Sequence, residues 1–195
     1  MSAANHPEAP DTRHTPGVPV TYTPQLGDIG LTSITGDVGA SIRLGQWLNG
    51  DGFSVYEHAF IYVGPCRGGN IVEAEPGGAR MADLTEYADR DISWLPAPTT
   101  GNPLLGFKVA IQARYLVGTP YSFADYAAIA AHRLRLPGSR ALKSYIASTR
   151  HMICSQLADE AARRGGWNLF ADGRWPGYVT PADLYELALK NGTIE

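Results

Sequence analysis

The chain has 195 residues, a formal net charge of −3 and two cysteines, Cys66 and Cys154. That length suffices for one domain with a sizeable core. A near-neutral charge with no basic stripe argues against nucleic acid as a partner. Two distant cysteines with no C-x-x-C pair argue against a disulfide framework or a zinc knuckle.

Residues 1–24 carry Pro7, Pro10, Pro16, Pro19 and Pro24 among polar side chains. This composition predicts an extended or disordered arm, suited to docking on a protein partner. The arm holds no apolar run of signal-peptide or membrane-span length, which predicts a cytoplasmic start, with any delivery outside needing another route. Residues 25–195 read as one domain.

Gln25 to Thr32 looks like a turn feeding a short strand. Asp37 can cap a helix to about Asn49, where Asn49-Gly-Asp-Gly52 stops it. Glu57 to Val63 is β-rich and ends at Gly64-Pro65. Asn70 to Glu75 follows as a second strand, joined through a hairpin over 66–70. Pro76-Gly77-Gly78 turns into a third strand, Ala79 to Ala82, and Asp91 to Leu95 makes a fourth. Helical spacing then takes over, at Leu104 to Val117, Ser122 to Leu134 and Ser139 to Ser148. The helix around Cys154 comes next, and Thr180-Pro181 opens a last one with a threonine cap and proline in its first turn. Strands followed by helices, with hairpin connections, predict an α+β fold on an antiparallel sheet.

The candidate chemistry centres on Cys154. Ile153, Leu157, Ala158, Ala161 and Ala162 form one helical face, and Arg163, Arg164 and Gly165-Gly166 supply a basic last turn and a glycine stop. A thiol at a helix N-terminus feels the positive end of the macrodipole, which favours thiolate. Such a nucleophile needs a base. Of the five histidines, His6 and His14 lie in the arm and His132 sits beside Arg133 and Arg135 as a solvated position. His151 is three residues before the thiol, poorly placed in line. His58 is the better base. Alternation along its strand puts His58, Phe60 and Tyr62 on one side and Ala59, Ile61 and Val63 on the other. In the next strand Ile71, Glu73 and Glu75 share a side, so a short hairpin can place a glutamate beside His58 and fix its tautomer. Glu73, deeper in the strand, is preferred to Glu75, which adjoins Pro76. Cys66 reads as a spectator thiol. Asp159-Glu160 with Arg163-Arg164 reads as a solvated helix face, and Trp167, Phe170, Trp175 and Tyr178 as packing over the last helix in preference to a lid over the cleft. Histidines and acids do not recur at ligand spacing, so neither a metal nor another cofactor is expected.

Taken together, Gly27-Asp28-Ile29, His58-Ala-Phe-Ile-Tyr-Val-Gly64, Ile71-Val-Glu-Ala74 and Ile153-Cys-Ser-Gln-Leu157 resemble the circularly permuted NlpC-type branch of papain-like cysteine peptidases, in which the histidine strand precedes the cysteine helix. The resemblance covers roughly residues 26 to 162. It implies a papain-like fold, Cys154 as nucleophile, His58 as base and Glu73 as orienting group, acting on an amide in a peptide or peptidoglycan stem. Thr119-Pro-Tyr121-Ser-Phe-Ala-Asp125 is similar to a Gly-x-x-Tyr-x-Phe segment that precedes the cysteine in such enzymes, which puts Tyr121 in the substrate cleft. Tyr62 and Glu75 complete the expected substrate-contacting set. The lipid-acyltransferase branch carries Asn-Cys-Glu-His around its nucleophile, whereas this chain has Ile-Cys-Ser-Gln. Two alternatives remain at this level: an inert binding or structural module of a larger assembly, and thioester or ester chemistry on the same fold.

Overall fold

The computed structural model describes residues 22–33, 56–120, 152–174 and 179–193. The helices expected at 37–49, 122–134 and 139–148 lie outside these residues, as do the arm up to Thr21, Tyr121, His132, His151, Trp175 and Tyr178. The described elements are β1 (Ile29–Thr32), β2 (His58–Cys66), β3 (Gly69–Glu75), β4 (Gly78–Ala82), a 3-10 turn (Leu84–Tyr87), β5 (Ile92–Leu95), α1 (Leu105–Tyr115), α2 (Cys154–Gly165) and α3 (Pro181–Lys190). The fold is α+β, on a five-stranded antiparallel sheet in the order β4-β3-β2-β1-β5. Among the described residues no helix is long and apolar enough to cross a membrane.

Alternation in the strands gives the sheet two unlike faces. Ile29, Leu31, Ala59, Ile61, Val63, Val72, Ala74, Ala79 and Leu95 join the larger core cluster with residues of α1, α2 and α3. The opposite face carries a smaller cluster of Phe60, Ile71, Ala82, Tyr87 and Trp94. A fully buried side chain such as Ile61 is worth roughly 1.5–3 kcal/mol, against about 0.3–0.5 kcal/mol for a helical ion pair such as Glu160–Arg164. The apolar pattern therefore sets the register. His58 and Glu73 fall on the face with the smaller cluster.

Small side chains let the elements approach closely. A Cβ on Gly30 would lie 2.3 Å from the Phe60 ring directly across the ladder, so that ring occupies the space a side chain would take. Gly165 of α2 would meet Val109 of α1 at 2.7 Å, and the facing residues Ala110, Ala113, Ala158, Ala161 and Ala162 are buried alanines. The outer edge of β4 is covered, since Ala79 exchanges backbone hydrogen bonds with Gly118 and Thr119, which satisfies part of a sheet edge.

Two expectations need correcting. β2 runs through Gly64-Pro65 to Cys66, so the hairpin loop is only Arg67-Gly68, because Gly64 at φ 74° belongs to a bulge inside the strand and does not end it. Asp159 is 6 % exposed, so only Glu160 of that pair lies on the ion-paired surface of α2. Burial pushes the Asp159 carboxyl up to about 6.

Candidate active site

β2 and β3 position the histidine and its acid. Their ladder pairs Cys66 with Gly69 at the hairpin, but Tyr62 with Ile71 and Phe60 with Glu73 further along. Between those rungs β2 has Val63, Gly64 and Pro65 where β3 has only Asn70, so β2 carries two extra residues. Continued from the hairpin without this bulge, the ladder would put Glu75 opposite Phe60, on the diagonal to His58. The bulge slides β3 by two residues, keeps every side chain on its own face, and gives that diagonal place to Glu73. It is held from outside: Arg114 of α1 donates to the Val63 carbonyl, and Leu26 packs where a Gly64 Cβ would stand.

Nε2 of His58 lies 2.8 Å from Oε2 of Glu73, and both side chains are buried. The same carboxylate oxygen accepts from the Tyr87 hydroxyl at 2.5 Å. Its other oxygen lies 2.6 Å from the Arg80 guanidinium, which also pairs with Glu75 at 3.2 Å and Glu86 at 2.8 Å. The Tyr87 ring stacks on both His58 and Phe60, at centroid distances of 5.8 and 5.2 Å.

Cys154 is the first residue of α2. Its sulfur lies 3.9 Å from the carbonyl oxygen of Glu57, the residue before His58. The Cys154 side chain also raises the basicity of the His58 ring. With Nε2 given to Glu73, Nδ1 is the ring atom available to sulfur. The N-cap residue, Ile153, has no side-chain acceptor, and the Gln156 side chain accepts from the Ile153 N–H at 3.1 Å. Ser155 donates to the Val179 carbonyl at 2.7 Å and ties the start of α2 to the segment before α3.

The electrostatics follow from these contacts. Burial alone would lower the His58 basicity; the bonds to Cys154 and Glu73 outweigh it and push the imidazolium up to about 10. Burial would raise the Glu73 carboxyl, but the bonds from His58 and Tyr87 and the Arg80 charge hold it below the usual range. Tyr87 is pushed up by burial and by the Glu73 charge. The result is an ionised carboxylate beside a histidine that keeps its proton well above neutral pH.

The structure thus brings Cys154, His58 and Glu73 together. Glu75 is spoken for by Arg80. Tyr62 sits four residues along β2 from His58, about 13 Å at strand spacing, edge-on to Trp94. Ligand atoms of His58, Glu73 and Glu75 come within 4.8 Å of one another, a set that a divalent cation could use. The Arg80 guanidinium forms ion pairs with both carboxylates and so places a positive charge beside the same oxygens.

Three features were not anticipated from sequence. Arg80 was legible in principle, because a two-residue loop at Pro76-Gly77 pairs Glu75 with Gly78 and hence Glu73 with Arg80. Tyr87 was not, since it arrives through a 3-10 turn capped by Asp83. Asp28 of the Gly-Asp-Ile segment is a structural tie: its carboxylate accepts from Tyr22, from the Gln25 N–H and from the Ala97 N–H, pinning the entry to β1 against the exit from β5.

Compared with family models, with curated proteins and with solved structures, the chain matches none.

Proposed function

We propose that the chain is a cysteine hydrolase of papain-like, permuted NlpC-type architecture, cleaving an amide bond in a peptide or peptidoglycan stem. The observation that carries this is the His58 ring, bonded to a buried glutamate through Nε2, with the sulfur of a helix-start thiol against the backbone carbonyl of the residue before His58. Cysteine nucleophiles need that order of thiol, imidazole and orienting acid. Proton transfer from sulfur to Nδ1 gives a thiolate–imidazolium pair. The thiolate attacks the carbonyl carbon, and the Cys154 N–H at the start of α2 would hold the oxyanion. The imidazolium protonates the departing amine as the C–N bond breaks, leaving an acyl-enzyme. Water, deprotonated by the same nitrogen, then attacks the thioester; sulfur leaves and the acid product is released.

A second reading rests on a different observation: Cys154 is only 1 % exposed. A thiol closed to substrate fits an inert module that retains the architecture, with the arm docking on a partner.

One experiment separates the two, namely the pH dependence of alkylation read by mass spectrometry, with exposed Cys66 as internal control. The hydrolase is expected to react at Cys154 well below the ordinary thiol value of about 8.5, and His58→Ala to remove that advantage. A native Cys154 that stays silent while Cys66 reacts would establish the inert module. Turnover adds a signed test. A histidine raised from 6.5 to about 10 keeps its proton below that value and loses it as pH rises through about 10. Turnover should therefore fall across that limb, because the leaving amine lacks its acid. Alkylation needs only thiolate and should not fall there.

A further inference from the structure

Glu73 is 0 % exposed, yet its partners are more numerous than an orienting group requires. Oxygen Oε2 receives both His58 and Tyr87, and Oε1 faces the Arg80 guanidinium at 2.6 Å. Arg80 is in turn fixed by Glu75 and Glu86, and Glu86 also accepts from the Asp83 N–H in the capping box of the 3-10 turn that delivers Tyr87. Arg80 and Tyr87 thus reach the carboxylate from two elements, β4 and the 3-10 turn, that are locked to each other.

A lone buried carboxylate beside an imidazolium holds the shared proton tightly. A carboxylate that already receives a hydroxyl and faces a second cation holds it less tightly, because both partners stabilise the anion without the proton. We propose that Arg80 and Tyr87 are positioning residues that act through Glu73, keeping the carboxylate ionised and aimed so that His58 can release its proton toward Cys154 or a leaving group. Their use in turnover rests on the hydrolase proposed above, but their effect on the His58–Glu73 proton does not.

Five groups bear on the titration of His58: Glu73, Tyr87 and Arg80 around the carboxylate, with Glu75 beyond Arg80, and Cys154 from α2. Cys154→Ser removes the thiolate and leaves the other groups in place. In that background, the full chain labelled with 13C-histidine is titrated by NMR, with the other four histidines as references. Arg80→Gln is expected to move the His58 midpoint upward, by roughly tenfold in proton affinity. Tyr87→Phe should move it in the same direction by less, and Arg80→Lys, which keeps the charge, should leave it within about twofold of the background. A merely structural role would loosen the pair and lower the midpoint. An unchanged or lowered midpoint in Arg80→Gln or in Tyr87→Phe overturns the proposal. If Arg80→Gln does not fold, Tyr87→Phe, which removes one hydroxyl, decides alone. No substrate enters the titration, so an inert Cys154 would leave its result standing.

Discussion

Helices α2 and α3 begin within reach of each other and are built in opposite ways. At α3, the Thr180 hydroxyl accepts from the Asp183 N–H, the Asp183 carboxylate accepts from the Thr180 N–H at 2.8 Å, and Pro181 occupies the first turn. Both halves of a capping box are present, a feature worth about 1 kcal/mol in typical hosts. At α2 the N-cap is a buried isoleucine with no oxygen to offer, and only the return bond from Gln156 to the Ile153 N–H is made. The first residue after that cap is Cys154. One helix start is spent on stability; the other places a thiol where the macrodipole favours negative charge. The bond from Ser155 to the Val179 carbonyl joins them, so the capped start braces the one that carries the thiol.

Substitutions at the two starts should separate these roles. The largest effect is expected from Cys154→Ala, which should cut turnover by roughly four orders of magnitude or more while moving the thermal midpoint little; retained turnover would remove Cys154 from the chemistry. Ser155→Ala acts on the brace. It deprives a buried carbonyl of its donor at a cost of about 1–3 kcal/mol, and the alkylation rate of Cys154 should drop severalfold as the helix start loosens. An unchanged rate would mean that α2 is held without α3. Smallest is Thr180→Ala, expected to cost about 1 kcal/mol in urea unfolding and to leave the Cys154 alkylation rate as it is. A loss of reactivity larger than that of Ser155→Ala would erase the distinction between the two starts.

Much of this site was legible because strand alternation is rigid. A period of two places His58 with Phe60 and Tyr62, and Glu73 with Ile71, whatever else the chain does. The choice between Glu73 and Glu75 was harder, since it depends on a bulge at Val63-Gly64-Pro65 that sequence presents as a strand end, and on an arginine from α1 that secures it. Asp159 was misjudged for a related reason. Its neighbour Glu160 has local partners on α2, but which flank of an amphipathic helix is covered depends on the segment packed over it, and helical periodicity does not specify that segment. Tyr87 needed a turn whose direction is set by Asp83 and Glu86 together, a three-dimensional fact with only a short acidic signature. Tyr121 and His151 lie outside the described residues, as does the helix expected at 37–49.

The separation of the site residues along the chain bears on how the site comes into being. The hairpins that join β2, β3 and β4 close over two-residue loops, whereas the thiol meets the carbonyl of Glu57 across a separation of 97 residues. Loop-closure entropy favours the short closures, and contacts distant in sequence are made late. The hairpins place His58, Glu73 and Arg80 in register on one meander, and Tyr87 joins from the next turn. Assembly is therefore expected to complete the His58–Glu73 pair and its supports before Cys154 arrives, so that the thiol meets the pair only once the sheet is folded.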